Sequence, residues 1–468
     1  MSSPHIIVIG GGLAGLAASA ALAAAGCRVS LFEKSPRLGG RATSYVLPDG
    51  EQIDNCQHVT LRCCTNLEDF YVRIGAEGKI AYYDALTFAD STGRRGVIRL
   101  SRLPAPFHLL PSFVTFPLLN WREKQSIARA MVRIVASGGH PDLLPSMSML
   151  DWLKQANQTP LAIDLFWRTV LVSALNEELD RIDASYGVAV IWKVFLSNRN
   201  GFAMGIPSVP LAELYASSGE RIGRSGGQVR TRSGVAELQI SAERVTAARL
   251  DNGTVVDADH YIAALPFDRL LRILPESVRA AEPFFNLSKL EVSPITGVHL
   301  WFDRPVMQEP FITCVGQTIQ WVFNKRDGCY LQIVISASHR LTQPQSEIID
   351  LCKNELARLI PVVREAGLVR SIVVRETAAT FSPLPGCDRW RPQPHTPVRN
   401  LLLAGDWIQT GWPATMESAV RSGYQAAEAI LEMEGRPLKL VRPELPATGM
   451  LLARRVGRSA RVHSRDKL

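Results

Sequence analysis

The run Gly10-Gly11-Gly12-Leu13-Ala14-Gly15 constrains this chain more than any other feature, because of what flanks it. Before it stands a short β-branched run, His5 to Ile9, and after it an Ala/Leu run, Leu16 to Ala25, that stops at Gly26. The order predicts strand, tight turn, helix. In the pattern G-x-G-x-x-G each glycine answers a separate physical need. Gly10 permits the turn, Gly12 lets backbone approach a pyrophosphate, and Gly15 lets the helix lie close on the sheet. Free N–H groups at the helix start, around Leu13 and Ala14, then face the phosphates. Arg28 to Glu33 reads as a second strand ending on a carboxylate, which completes a βαβ unit.

Glu33 lies about 20 residues past the last glycine, where a ribose-binding carboxylate belongs, with Lys34 beside it. A carboxylate there accepts from ribose hydroxyls and repels a 2′-phosphate, so NADP is disfavoured. Two further elements favour FAD over NAD. Arg41, after Gly39 and Gly40, is placed to neutralise a diphosphate, and Asp406, after the strand-ending Gly405, is placed to take a ribityl hydroxyl. Val235, in the strand-like stretch Gln228 to Ile240, and Thr415 and Met416, which open a helix running to Leu431, complete the candidate cofactor-binding set.

With 468 residues the chain is too long for one ordinary core. The expected class is α/β: an FAD-binding Rossmann-like domain with an interleaved substrate domain built of a mixed sheet and a mostly helical insertion. The FAD-binding domain is expected in three pieces, 1–60, 220–290 and 395–435, and the substrate domain in two, 61–219 and 291–394. Residues 436–468 read as a basic tail.

The net charge of +8 has no partner assigned by its sign alone. From Arg454 to Lys467 six basic residues face a single acid, Asp466, which fits either a solvated terminus or a segment drawn to anionic headgroups. No aromatic-interleaved basic patch points to nucleic acid. The eight cysteines lack C-x-x-C pairs, so no metal is expected, and reduced thiols suit a reducing compartment. The chain is expected to be cytoplasmic, soluble or peripheral on the inner face of the membrane: the apolar N-terminus is a glycine-broken strand and helix, and no basic n-region precedes it.

The opening fingerprint, Gly39-Gly40-Arg41 and the late Gly405-Asp406 together resemble the flavin amine oxidase and phytoene desaturase superfamily, in which all three line FAD. Within it, Asp54-Asn55-Cys56-Gln57-His58, Cys63-Cys64-Thr65-Asn66-Leu67, Leu103-Pro104-Ala105-Pro106, Ala379-Thr380-Phe381 and Leu403-Ala404-Gly405-Asp406-Trp407 look like the squalene-associated branch, hydroxysqualene dehydroxylase. The string Gly411 to Gly423 carries the resemblance most specifically. One departure is Cys56, where relatives carry glycine.

The resemblance implies reduction of the allylic alcohol hydroxysqualene to squalene on a bacterial route to hopanoids. Such chemistry needs a proton for the leaving oxygen and a hydride from reduced flavin. His58 is the candidate proton donor, with Asp54 as a candidate to orient it. Trp407 and Trp412 are candidates to pack near the flavin or to serve as core, and Arg375-Glu376 reads as a structural ion pair. Phe107 to Leu119 is an apolar stretch between prolines that suits either a membrane-dipping entrance or a buried helix. The alternative activities are desaturation of a carotenoid precursor or oxidation of an amine on the same fold, and a non-catalytic prenyl-lipid carrier.

Overall fold

The β-branched run His5–Ile9 forms the centre of a five-stranded sheet in which Ile6, Ile7 and Val8 have no exposed surface. Continuous apolar runs are what a parallel sheet covered on both faces requires. The strand order is Gln228–Arg230, Arg28–Phe32, His5–Ile9, His260–Ala263, Leu401–Leu403, and every neighbouring pair is parallel. The computed structural model describes residues 3–139, 144 and 146–451. The expected tail from Arg454 onward therefore lies outside the described residues.

Helix Leu13–Ala24 crosses from the first strand to the second and is packed by the long helix Met416–Met433. Small residues make that approach possible: a Cβ on Gly423 would stand 2.2 Å from the carbonyl oxygen of Ala14. The helices Thr65–Ile74 and Leu211–Arg224 join the same core through Phe70, Tyr71, Leu214 and Tyr215, although both begin in the stretch 61–219 expected on the substrate side.

The second large sheet has seven strands, in the order Leu368–Phe381, Val292–Phe302, Tyr330–Ser336, Trp321–Arg326, Phe311–Val315, Ala85–Asp90, Arg95–Arg99. All its pairs are antiparallel except Phe311–Val315 with Ala85–Asp90. The insertion is thus less helical than the sequence suggests, since Ile80–Tyr83, Ala85–Asp90 and Arg95–Arg99 are strands. Alternation is weak there because several residues on both faces are half-buried.

Two further differences have local causes. The stretch Gln228 to Ile240 is not one strand: Arg232 takes a left-handed φ of 54°, and Val235–Ser241 leaves the parallel sheet to pair with Arg244–Leu250. Residues 436–451 are no free tail either. Leu440 is buried, Glu444 pairs with Lys193, and the Thr448 N–H donates to Ser197.

Candidate functional site

The C-terminal ends of the parallel strands carry the candidate cofactor residues, which is where open α/β sheets bind their ligands. Gly10 turns the chain with a φ of 108°, and its N–H donates to Phe32 over 2.8 Å. A Cβ on Gly15 would lie 2.0 Å from the Gly10 carbonyl oxygen, so the helix touches the turn. Gly12 caps helix Leu13–Ala24 without any side-chain hydrogen bond, and a Cβ there would meet only Gly40 Cα, at 3.9 Å. An uncapped helix start beside open space matches what a diphosphate needs.

Glu33 holds this turn from the side. Its carboxylate accepts from the Gly11 and Ser35 N–H groups, both at 2.6 Å. The segment 230–235 runs along the same carboxylate: Glu33 and Arg230, then Ser233 and Glu33, are joined through backbone, and Gly234 lies against Lys34 just before Val235. Lys34 itself is exposed.

Gly39 donates to the Gly11 carbonyl over 2.8 Å and bridges Gly12, so the two glycine motifs are in contact. Arg41 then reaches across to the C-terminal motif. Its guanidinium donates to Asp406 at 2.5 Å and to the Ala379 carbonyl at 2.6 Å. Residues more than 300 positions apart in sequence therefore meet at one point, and Asp406 is buried.

The loop after Asp406 is held from behind by a residue that the sequence does not single out. Arg391, 4% exposed, donates to the carbonyls of Trp407, Ile408 and Trp412. Gly405 donates to Ser422, and Thr415 caps helix Met416–Met433 by accepting from Ser418. Met416 touches the Tyr215 hydroxyl through sulfur at 3.8 Å. Glu417, fully buried, accepts from the Asn66 and Leu67 N–H groups and so fixes the start of Thr65–Ile74. Burial raises its pKa. Both tryptophans are buried, Trp407 donating to Leu265 and Trp412 to Glu444.

The segment Asp54 to His58 joins Arg41 to the second sheet. Asn55 donates to the Arg41 carbonyl, and a Cβ on Gly297 would meet the Asn55 carbonyl oxygen at 3.1 Å. His58, the candidate proton donor, is half-buried in the same segment. Its Nδ1 lies 3.0 Å from the Cys56 carbonyl oxygen, which can only accept, so Nδ1 carries a hydrogen and donates it. Burial lowers its pKa.

Asp54 does not orient His58. Its carboxylate accepts from Ser44, from the Leu211 N–H and from Lys325. Burial pushes the Cys56 thiol up to about 12, so it stays protonated. Arg375 donates to the Gln343 carbonyl instead of pairing with Glu376, because neighbouring strand residues face opposite ways. Among the described residues no group of three or more His, Cys, Asp or Glu side chains is placed to hold a metal ion.

A family profile described as flavin containing amine oxidoreductase matches residues 13–431. The chain belongs to that family. Membership brings FAD as the cofactor, and the glycine cradle, the uncapped helix start and the Arg41–Asp406 pair fit it. A 15-cis-phytoene desaturase of an Oncidium hybrid cultivar is 26% identical over 459 residues, 92% of this chain and 78% of that protein. A probable zeta-carotene desaturase of Synechococcus elongatus is 25% identical, covering 92% and 99% of the two chains. Among solved structures, putrescine oxidase bound to putrescine superposes with a TM-score of 0.70 at 18% identity, over 92% of this chain and 99% of that one. An oxidoreductase from Methanosarcina mazei gives 0.70 at 17% identity, over 92% and 100%. These two show the fold.

Proposed function

We propose that this flavoenzyme moves a hydride between FAD and a long apolar isoprenoid, and that it runs reductively, converting hydroxysqualene to squalene. The observation that carries the substrate class is the apolar cluster packed around the Asp54–His58 segment. Cys56 is a member of a cluster with Leu86, Phe202, Met204, Phe311 and Phe323, on which the half-buried Val59, Tyr83, Ile206 and Trp321 pack. An apolar wall of this kind suits a prenyl chain. The names of the carotenoid desaturases support the same substrate class. The reductive direction rests on the resemblance of Asp54–His58 and Gly411–Gly423 to the squalene-associated branch.

In this reading Gly10, Gly12, Leu13, Ala14 and Gly15 hold the diphosphate with backbone N–H groups. Glu33, Lys34 and Val235 border the adenosine, and Gly39, Gly40, Arg41, Gly405, Asp406, Thr415 and Met416 hold the ribityl and flavin end. Bound FAD supplies the hydride, and the protein positions the chain and excludes water. Desaturation of a carotenoid precursor is the second reading, favoured by the relatives' names.

Access from a bilayer belongs to the same proposal. Among the described residues no helix is long and apolar enough to cross a membrane. Within Phe107 to Leu119, Phe116, Leu118 and Leu119 are buried, whereas Phe107, Leu110 and Val114 are each about 40% exposed and stand near the exposed Leu103 and Trp121. Leu109 packs inward on the substrate-side cluster, so this segment is apolar on both sides, as a lip for a lipid requires. The test of the activity is anaerobic: photoreduce the holoenzyme, add hydroxysqualene, and follow flavin absorbance and lipid together. Reoxidation with one squalene per flavin supports the dehydroxylase; bleaching of oxidised flavin by a polyene precursor supports the desaturase.

A further inference from the structure

Asp54 and Gln57 also line a cleft of about 460 Å³, a volume typical of small-molecule sites. Its lining has two characters. Glu51, Asp54, Gln57, Lys325 and Arg326 are polar, while Tyr83, Ile206, Pro207, Val209 and Phe323 are apolar. Phe323, Tyr83 and Ile206 belong to or pack on the cluster that contains Cys56, so the apolar side of the cleft is backed by the core beneath the Asp54–His58 segment. The charges are balanced in pairs: Lys325 stands 3.1 Å from Asp54, and Arg326 3.3 Å from Glu51. A balanced lining selects no anion. It suits a neutral ligand that is apolar along most of its length and polar at one point.

Lys325 is held as a functional side chain would be. Strand Trp321–Arg326 pairs Asn324 with Leu331 and Arg326 with Tyr330, which leaves Lys325 as the extra residue of a β-bulge, a device that re-aims a side chain. Its ammonium donates to Asp54 Oδ2 and to Gln57 Oε1 at 2.8 Å. Asp54 is itself fixed by Ser44 and by the Leu211 N–H on its other oxygen. An ammonium has three N–H donors, so one remains for a ligand. His58, one residue beyond Gln57, has its Nδ1 hydrogen committed to the Cys56 carbonyl.

We infer that this cleft receives the hydroxyl of a long-chain allylic alcohol and that Lys325 donates to its oxygen and gives it the proton with which it leaves. The inference rests on the reductive reading of the function. The C–O bond breaks with both electrons going to oxygen, and the Lys325 proton completes a water molecule. With FAD bound at the site proposed above, reduced flavin would supply the hydride for the new C–H bond and would be left oxidised by two electrons. The neutral Lys325 amine takes its proton back from solvent.

Three forms of the holoenzyme test this: Lys325→Arg, Lys325→Met, and Lys325→Met with Asp54→Asn, which removes the carboxylate the single change would orphan. Tryptophan quenching gives the affinities of the oxidised enzymes for hydroxysqualene and squalene, and anaerobic single turnover gives the reoxidation rate of the reduced ones. Wild type should bind the alcohol about 10-fold more tightly than squalene, and the double variant should bind both equally with its squalene affinity unchanged. Lys325→Arg should keep the preference yet reoxidise about 100-fold more slowly, since a guanidinium does not release its proton. A double variant that still prefers the alcohol, or Lys325→Arg reoxidised at the wild-type rate, would make Lys325 a structural ion pair and overturn the inference. Wild type that is not reoxidised by the alcohol at all would sink the reductive reading itself, and the inference with it.

Discussion

Replacing Gly15 by alanine puts a carbon 2.0 Å from the Gly10 carbonyl oxygen and 3.2 Å from Ala264 Cβ. Real side-chain carbons do not approach closer than 3.0 Å, so helix Leu13–Ala24 must retreat from the turn by about 1 Å. It has nowhere to go: on its other side Gly423 already lies against the Ala14 carbonyl. Overpacking of this kind costs about 1–3 kcal/mol, which in a chain of this size lowers Tm by a few degrees. The same retreat carries the Leu13 and Ala14 N–H groups away from the position proposed for the diphosphate. FAD at 100 times its Kd stabilises by about 2.7 kcal/mol, and most of that should vanish. The assay is Tm without and with excess FAD, together with the flavin-to-protein absorbance ratio. An apo Tm within about 1 °C of wild type and full flavin content would refute the reasoning.

Arg41→Met leaves the Asp406 carboxylate, 8% exposed, without its partner, so Tm should fall by the equivalent of about 1–3 kcal/mol and flavin content with it; adding Asp406→Asn should restore Tm but not flavin, as thermal melts and absorbance will report. His108 is fully buried with neither ring nitrogen paired, and burial drives its pKa down to about 4. The unfolded chain therefore takes up a proton at this residue below about pH 6.5 that the folded chain refuses, and wild-type stability falls as pH drops from there towards 4. His108→Leu should flatten that fall, measured by urea unfolding at pH 8 and pH 5, and an unchanged slope would reject the assignment. Changing Phe107 and Leu110 together to Asp should abolish flotation with anionic liposomes, whereas Phe113→Asp disturbs the inward contact with Phe166 and should show first as lost stability.

The nucleotide-binding half was legible because its signals are local. Strand, glycine turn and helix follow one another within His5 to Ala24, and periodicity together with glycine placement suffices to read them. Gly39 to Arg41 and Gly405-Asp406 were legible as motifs, but that Arg41 and Asp406 meet depends on the parallel sheet, which sets the strand ends at Ile9, Ala263 and Ala404 side by side. Lys325 carried no sequence signal: it sits in an ordinary strand, and only the bulge and its distance to Asp54 single it out. Arg391 was hidden for a similar reason, since an arginine between a tryptophan and a proline looks like surface until three carbonyls converge on it. The hydrogen bond of His58 depends on one backbone carbonyl, whose direction no residue pattern encodes.

The direction of hydride flow is tested most directly by isotope. Holoenzyme equilibrated in D₂O and photoreduced carries deuterium at the flavin N5, and hydroxysqualene is then added without oxygen. The reductive account predicts squalene with one deuterium at the former carbinol carbon, in step with the return of the oxidised flavin spectrum. Squalene without deuterium, or a flavin that stays reduced with the alcohol while its oxidised form is bleached by phytoene, would contradict it.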